Sequence, residues 1–360
     1  MKIKIGDRLI GEDEPCFIIA EVGVNHNGSM DLAKKLVDAA VDVGADAVKF
    51  QTFKTEKLVT KTAEQADYQK GSGRSQYEML KQLELSYDNF MELKGYCDKK
   101  GIMFLSTPHS SEEDVDVLDD LVPAFKISSA DLTNIPLLEY VATKGKPVIL
   151  STGMGDMDEV KEAVNIIKMY NEKLIVLHCT TNYPASIDEI NLKAMKTMEK
   201  ELNPLVGYSD HTVGIDASLA AVALGACVIE RHFTLDKDLP GPDHKASLNP
   251  EEMKEMINKI RELEGLKNKE DVLNNIAETD KILGDGIKKS TKSENEIKRV
   301  ARKSIVAAVD IKKGSTITSD MLAVKRPGTG IEPKRLREMI GKRARCDIKE
   351  DELISWDAVE

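Results

Sequence analysis

The sequence lacks the features of a membrane-spanning or secreted protein. No apolar run in its 360 residues approaches the roughly 20 that are needed to cross a bilayer, and residues 1–6 contain no signal-peptide core. The five cysteines are odd in number and form no CxxC pair, so a disulfide framework is not expected. Cys16, Cys179 and Cys227 lie in or beside apolar stretches. We therefore expect reduced thiols in a cytoplasmic protein.

The sequence also lacks a block of lysine and arginine residues. Its formal net charge is −11, and no basic stripe of the kind that binds nucleic acid is present. We expect neither a nucleic-acid nor a membrane partner. An acidic protein can still bind an anionic ligand if its few cations are concentrated at one site.

What the sequence does contain is a regular series of short apolar runs, each followed by polar residues. Eight such runs are separated by helix-like stretches: 17–20, 47–48, 102–105, 124–125, 147–150, 174–177, 205–206 and 227–229. Their number and order predict a (β/α)8 TIM barrel. The carboxyl ends of the strands of such a barrel converge on one mouth, so the polar residues after the runs are candidates for an active site.

The composition changes after the eighth run and its helix. Residues 1–266 form the predicted barrel, and residues 267–296 are charged and poor in large apolar residues, as in a linker with a helix or two. Residues 297–360 contain short β-like pieces and predict a small β-rich domain, in which 310–317 and 347–354 are weakly similar. Within the barrel, the polar segment 68–77 predicts a flexible loop that could cover the mouth.

Two histidines are the candidates for metal ligands. His211 and His232 follow the seventh and eighth predicted strands, which are neighbours in a barrel, so both imidazoles could reach one divalent ion. Two imidazoles with oxygen ligands suit Mn²⁺, Co²⁺, Fe²⁺ or Zn²⁺. The alternative is that each ring hydrogen-bonds a backbone carbonyl.

Two lysines end predicted strands in the same way. Lys49 and Lys126 follow the second and fourth strands, and an ammonium group that points into a barrel mouth needs a counter-charge. A substrate that carries a phosphate and a carboxylate would supply it. Ion pairs with Glu21 or Glu230, or a Schiff-base lysine, are the alternatives.

The remaining candidates are hydroxyl and carboxyl side chains. Four hydroxyls that could bind an anion follow other strands: Thr107, Ser129, Ser151 and Ser209. Glu21 could be a general base or part of a salt bridge at the barrel mouth. Asp131, in the loop after Lys126, could hydrogen-bond a substrate or protonate a carbonyl oxygen. Asp243 lies in a rigid turn and could point inward or merely cap that turn.

The motifs around these residues resemble those of the sialic acid synthases, a family that includes legionaminate, pseudaminate and spore-coat polysaccharide relatives. The matching motifs occur in order: IAEVG at 19–23, NHNG at 25–28, VKFQT at 48–52, STP at 106–108, FKISS at 125–129, STGM at 151–154, YSDHT at 208–212, ERHFT at 230–234 and GPDH at 241–244. The stretches 324–328 and 340–342 resemble the antifreeze-like SAF domain, a β-clip module that ends these enzymes.

The resemblance implies a condensation of phosphoenolpyruvate with the open-chain aldehyde of an N-acetylated mannosamine, which gives a sialic acid and phosphate. A related acceptor, 2,4-diacetamido-2,4,6-trideoxymannose, would give a legionaminate-type product instead. A metal aldolase that uses pyruvate is a rival interpretation. A non-catalytic binding protein whose SAF-like tail is the functional part is another.

The resemblance also implies roles for individual residues. His211 and His232 would hold the metal, Mn²⁺ first with Mg²⁺ or Co²⁺ as alternatives. The residues that would bind phosphoenolpyruvate are Lys49, Thr107, Lys126, Ser129, Ser151 and Ser209. Glu21 would lie beside the reacting carbons.

The sugar site and the assembly are implied in the same way. Tyr183, Asp131 and Asp243 would hold the sugar, although many bacterial members have glutamate where this chain has Asp131. Arg326 would reach from the SAF-like module into the partner subunit's barrel and bind the sugar's acyl group. The resemblance therefore implies a domain-swapped homodimer.

Overall fold

The computed structural model describes residues 1–65 and 75–360, and its centre is one sheet of eight parallel strands. An antiparallel hairpin of β1 (Lys2–Ile5) and β2 (Arg8–Gly11) precedes this sheet. The barrel strands are β3 (Phe17–Gly23), β4 (Ala47–Thr52), β5 (Met103–Pro108), β6 (Phe125–Ile127), β7 (Val148–Ser151), β8 (Leu174–Cys179), β9 (Leu205–Asp210) and β10 (Val228–His232). Hydrogen bonds connect them in the order β5-β4-β3-β10-β9-β8-β7-β6, and β5 packs beside β6. The predicted (β/α)8 barrel is confirmed.

Helices separate the strands and continue beyond the barrel. They are α1 (Met30–Val43), α2 (Thr55–Leu58), α3 (Gln76–Leu83), α4 (Tyr87–Lys100), α5 (Glu112–Asp119), α6 (Ile135–Thr143), α7 (Met157–Lys168), α8 (Lys193–Leu202), α9 (Asp216–Ala223), α10 (Pro250–Glu264), α11 (Thr279–Leu283), α12 (Lys292–Ala301) and α13 (Leu336–Met339). Local signals set their ends: in α1 the Ser29 hydroxyl accepts from the Leu32 N–H, and Gly44 ends the helix at φ 84°. The predicted loop 68–77 falls mostly on residues outside the described ranges.

The barrel interior follows the two-residue period of a β-strand. One apolar cluster fills it from the inside, formed by Phe17, Ile19, Ala47, Leu105, Ala124, Ile149, Ile175, Leu177 and Val228. Ile3, Ile5 and Ile10 of the hairpin belong to the same cluster, so the hairpin closes the amino-terminal end of the barrel. The other end is left for polar side chains.

The carboxyl-terminal part forms the small β-rich module that the sequence predicts. Its sheet pairs β11 (Ser304–Ala307) antiparallel with β12 (Leu322–Lys325). The two weakly similar segments pair with each other, because Ile311 and Ile348 exchange backbone hydrogen bonds of 2.8 Å in both directions. The internal similarity therefore corresponds to two paired halves of one module.

The module lies against the barrel of its own chain. Arg302 Nη2 donates to Glu159 Oε2 at 2.8 Å, and Lys303 Nζ donates to Asp131 Oδ1 at 2.5 Å. The Arg326 N–H donates to the Leu58 carbonyl at 2.9 Å. Over residues 1–65 and 75–360, the helices are too short or too polar to cross a membrane.

Truncation of the hairpin core tests whether the hairpin stabilises the barrel. Ile5 is fully buried against the inner cluster, so Ile5→Ala should lower the free energy of unfolding by about 2–5 kcal/mol, as other buried truncations do. Leu9→Ala in the same hairpin is the control, since Leu9 is 45% exposed. Urea unfolding of both variants makes the comparison, and equal losses would contradict a closing role for the hairpin.

Candidate active site

Polar side chains form the layer directly above the apolar interior. In most strands the polar residue comes two positions after an inner apolar residue, as Lys49 follows Ala47 and Thr107 follows Leu105. The strand register then places these residues side by side, with Glu21 next to Lys49 and Ser209 next to Glu230. The sequence pattern alone therefore brings opposite charges together at one mouth.

This layer lines a cavity at the carboxyl ends of the strands. Twelve of the thirteen predicted site residues line it: Glu21, Lys49, Thr107, Lys126, Ser129, Ser151, Tyr183, Ser209, His211, His232, Asp243 and Arg326. The barrel places all but one of them on the ends of its strands or on the loops that follow. Arg326, from the module, is the exception.

The two lysines share one carboxylate. Lys126 Nζ lies 3.3 Å from Glu230 Oε1, and Lys49 Nζ lies 3.7 Å from Glu230 Oε2 and 2.7 Å from Glu21 Oε2. Lys126 Nζ also donates to the Ser151 hydroxyl at 2.7 Å. The ion pairs that the sequence offers as an alternative are thus present. They also hold two ammonium groups toward the same space.

Burial sets the protonation of these groups. It raises the pKa of Glu21 to about 7 against the opposing charge of Lys49. Burial would raise the pKa of Glu230 too, but Lys126 and Lys49 together hold it below its usual value. Burial lowers the pKa of Lys126, and Glu230 opposes that shift. The site therefore holds one firmly ionised carboxylate and one that titrates near neutral pH.

The two histidines face each other at the same mouth. Their ring centroids are 5.4 Å apart, and the Tyr183 ring lies 4.2 Å from that of His211 and 5.2 Å from that of His232. His211 Nδ1 is 2.8 Å from the Thr180 carbonyl, an interaction that leaves Nε2 as the available ring nitrogen. His232 Nδ1 is buried without a hydrogen-bond partner among the described residues, and Asp243 Oδ2 is 3.7 Å away.

The thirteenth predicted residue, Asp131, does not line the cavity. Its side chain is fully buried, and its carboxylate accepts from Lys303 Nζ and, at 2.9 Å, from Asn134 Nδ2. His109, which does line the cavity, has its Nδ1 3.9 Å from Asp131 Oδ2. Asp131 binds the module to the barrel wall. Its nearest link to the cavity is Ser128, a lining residue whose hydroxyl donates to Asp131 Oδ2 at 3.1 Å.

The reach of Arg326 into a partner subunit's barrel stays a prediction. Within one chain, Arg326 lines the cavity of its own barrel. The reason is local, because its N–H and carbonyl form hydrogen bonds with Leu58 and Thr60, beside the mouth of the same barrel. The single chain therefore brings this guanidinium group to its own site.

The structure adds residues that the sequence did not single out for the site. Glu230 was considered only as a partner for the lysines, yet it is the carboxylate that both of them share. Cys179, which the sequence predicts only to be a reduced thiol, lines the cavity with its Sγ 3.7 Å from His211 Nδ1. Apolar side chains complete the wall: Val24, Phe53, Leu58, Met79, Leu80, Leu83, Ile297, Val300 and Ala301. The residues of this wall that lie on α3 and α12 have helical spacing, which predicts a packed face and carries no signal of a cavity.

Fold and site together define a TIM-barrel enzyme whose mouth concentrates cationic, hydroxyl and imidazole groups. Comparisons with known proteins identify the family of this enzyme. The NeuB family matches residues 36–271, and the SAF domain matches residues 302–360. The chain belongs to the NeuB family, the family of nonulosonic acid synthases, and the predicted resemblance is confirmed.

Named relatives cover nearly the whole chain. N,N'-diacetyllegionaminic acid synthase of Legionella pneumophila is 46% identical over 97% of this chain and 96% of its own length. The enzyme of the same name from Campylobacter jejuni is 47% identical, over 94% and 98%. N-acetylneuraminate-9-phosphate synthase of Homo sapiens is 37% identical, over 98% and 95%.

A solved structure agrees over the full length. The crystal structure of the spore coat polysaccharide biosynthesis protein SpsE from Bacillus subtilis covers 100% of this chain and 99% of its own, with a TM-score of 0.82 and 36% identity. The match includes the SAF domain as well as the barrel. The architecture of a barrel followed by a SAF module is therefore common to this chain and that relative.

Neutralising the shared carboxylate tests the charge balance of the site. Glu230→Gln leaves two buried ammonium groups with less counter-charge, so the free energy of unfolding of the ligand-free protein should fall by about 3–5 kcal/mol. Asp98→Asn, which breaks an exposed pair with Lys94, is the control and should change stability little. Equal effects in chemical denaturation would contradict the central role of Glu230.

Proposed function

We propose that the protein condenses phosphoenolpyruvate with 2,4-diacetamido-2,4,6-trideoxymannose to give a legionaminate-type nonulosonic acid and phosphate. One observation carries the proposal: the cavity lining combines lysines hydrogen-bonded to hydroxyls, here called its cationic end, with a packed apolar cluster, here called its apolar end. A small dianion suits the first end. A sugar with a methyl group and two acetyl groups suits the second.

The cationic end has the composition expected for phosphoenolpyruvate. The ammonium groups of Lys49 and Lys126 approach one carboxylate from two sides, so an entering phosphate and carboxylate would find both cations nearby. The hydroxyls of Thr107 and Ser151 already accept hydrogen bonds from these lysines. Charge-assisted hydrogen bonds of this kind are among the strongest that proteins make to anions.

The apolar end favours a deoxy sugar over N-acetylmannosamine. Phe53, Leu58, Leu80 and Leu83 line it and are almost fully buried. A 6-methyl group loses nothing by contact with such a surface, whereas a 6-hydroxyl group would have to give up its hydrogen bonds to water. The higher identity to the two legionaminic acid synthases than to the human relative supports the same choice.

The polar groups near that end suit the rest of the sugar. Asp243 and Tyr183 line the cavity beside the histidines, and Arg326 enters it from the module. Burial raises the pKa of Asp243 to about 6, so that near neutral pH this carboxylate can accept hydrogen bonds from sugar hydroxyls. Arg326 offers donors for an acetamido carbonyl.

His211 and His232 fit a divalent cation, for which Mn²⁺ is our first choice and Mg²⁺ or Co²⁺ are alternatives. Two observations support this choice: the ring of His211 is oriented, and the buried Nδ1 of His232 has no hydrogen bond within residues 1–65 and 75–360. No group of three His, Cys, Asp or Glu residues in ranges 1–65 and 75–360 forms a ready-made site, so water and substrate would complete the shell. When bound, the cation would supply Lewis acidity toward the acceptor aldehyde.

The chain's own residues then account for the chemistry. Lys49 and Lys126 neutralise the donor's charges, which lets C3 of the enol attack the aldehyde carbon. Attack leaves an alkoxide on the former aldehyde carbon and a positive charge at C2. Water traps that charge, Glu21 takes one proton from the water, and this proton neutralises the alkoxide. Collapse of the adduct breaks the bond between C2 and the phosphate oxygen, phosphate leaves with the proton of the C2 hydroxyl, and C2 becomes the keto carbon of the product.

The assembly and the cellular location stay predictions. The contacts of Arg326 and Lys303 described above are all made within one chain, so the domain-swapped homodimer rests on the resemblance alone. The cytoplasmic location likewise rests on the sequence. Sedimentation of the purified protein measures its oligomeric state.

Substrate choice is measured with a panel of acceptors. With phosphoenolpyruvate and Mn²⁺, kcat/KM for 2,4-diacetamido-2,4,6-trideoxymannose should exceed that for N-acetylmannosamine by about 10–100-fold, which is what one misplaced hydroxyl costs in an apolar pocket. A chelator should abolish phosphate release and added Mn²⁺ should restore it. Turnover with pyruvate, or no phosphate release with any acceptor, would refute the proposal.

The pH profile tests Glu21. Because its pKa is raised to about 7, the ionised form that can accept a proton is lost as the pH falls below that value. We expect kcat/KM for phosphoenolpyruvate to drop about tenfold per unit below pH 7 and to level off above it. Glu21→Gln should lower the rate and flatten the profile. A slope that persists in this variant would assign the titration to another group.

A further inference from the structure

Glu294 is a buried carboxylate that belongs to neither family-matched region, since the matches end at residue 271 and resume at residue 302. It lies in α12 and is 1% exposed. Its Oε1 accepts hydrogen bonds from the backbone N–H groups of Met154 and Thr181, both at 2.7 Å. Its Oε2 accepts from the Thr291 N–H at 2.9 Å and so caps its own helix.

The two N–H groups belong to loops that line the cavity. Met154 follows β7 and Thr181 follows β8, and both residues are part of the wall. Met154 has φ 60°, a left-handed conformation that is uncommon for a residue with a side chain and needs support from its surroundings. Arg302 Nη2 supports it from the other side, donating to the Met154 carbonyl at 2.9 Å.

The loop after β7, which Glu294 holds, is in direct contact with the cationic end of the cavity. The Gly153 N–H donates to the Ser129 hydroxyl at 2.9 Å. The fit is tight, because a Cβ at Gly153 would collide with Thr181 Oγ1 and lie 2.7 Å from Ser129 Oγ. A shift of either loop would therefore move the Ser129 hydroxyl.

We infer that Glu294 is a positioning residue for the cationic end of the cavity. From outside the barrel it fixes the loops after β7 and β8, and through Gly153 it fixes the hydroxyl of Ser129. The inference rests on the proposed function only for the identity of the anion. The connecting segment therefore has a specific role in substrate affinity, which a simple linker would not have.

The buried Lys288 interacts electrostatically with Glu294 and therefore limits the choice of variants. Lys288 is 4% exposed, and while burial lowers its pKa, the Glu294 carboxylate raises it. Glu294→Ala would leave Lys288 buried without this counter-charge and could unfold the segment. Glu294→Asp keeps the charge but shortens the side chain by one methylene group, so it cannot hold both N–H groups as Glu294 does.

The experiment compares Glu294→Asp, Glu294→Gln and Thr291→Ala in the full chain with phosphoenolpyruvate and Mn²⁺. For Glu294→Asp we expect KM for phosphoenolpyruvate to rise about tenfold, with kcat and the acceptor KM within about threefold of wild type. Glu294→Gln keeps one oxygen for the two N–H groups, so KM should stay within about threefold. Because it removes the counter-charge of Lys288, its free energy of unfolding should fall below that of Glu294→Asp. Thr291→Ala removes a cap from the same helix without touching the loops, so it controls for helix stability and should leave KM unchanged.

Amide hydrogen exchange gives a readout that needs no turnover. In Glu294→Asp, exchange at Met154 and Thr181 should accelerate, while exchange in the middle of β8 should match wild type. Equal rises in KM for Glu294→Asp and Thr291→Ala, or unchanged exchange at both amides, would overturn the inference. A wild-type protein that releases no phosphate would instead refute the proposed function, and accelerated exchange would still support the positioning of the loops.

Discussion

The balance of charge between two buried lysines and the carboxylate they share is the constraint on which the rest of the site depends. An isolated ammonium group is costly to bury, and neutralising it by deprotonation would remove its use for binding anions. Glu230 keeps Lys49 and Lys126 charged while leaving both directed toward the cavity. In the proposed function, the phosphate and the carboxylate of the donor would bind to these two ammonium groups.

This balance follows from strand register rather than from any single long-range contact. Parallel pairing sets Glu21 beside Lys49 and Glu230 beside Ser209, and the two-residue period turns all four side chains inward. A register shift of one residue would turn each of them out of the barrel. The apolar layer beneath, closed by the amino-terminal hairpin, resists such a shift. The stability of the fold and the chemistry of the mouth thus have the same origin.

The parts of the protein that repeat locally could be predicted from the sequence. All eight barrel strands, and the polar residues at their ends, follow from short apolar runs with a fixed period. The exceptions depend on contacts between residues far apart in the chain. The sequence predicts that Asp131 contacts a substrate. In the structure it pairs with Lys303, which lies 172 positions later in the chain. Arg326 likewise lines the cavity because its backbone pairs with residues 58 and 60, and no local pattern encodes that pairing.

The module and α12 are parts of the site rather than additions to it, because they help to lower the dielectric constant around its charges. A barrel mouth open to water would screen its charges and leave the carboxyl pKa values near their ordinary range. Instead, burial raises the pKa of Glu21 to about 7 and that of Asp243 to about 6. Ile297 and Val300 of α12, together with Arg326, line the same cavity and help to exclude water from it. Each electrostatic interaction inside is strengthened by that exclusion. Sequence outside the barrel therefore determines how strongly residues inside the barrel can act on a bound anion.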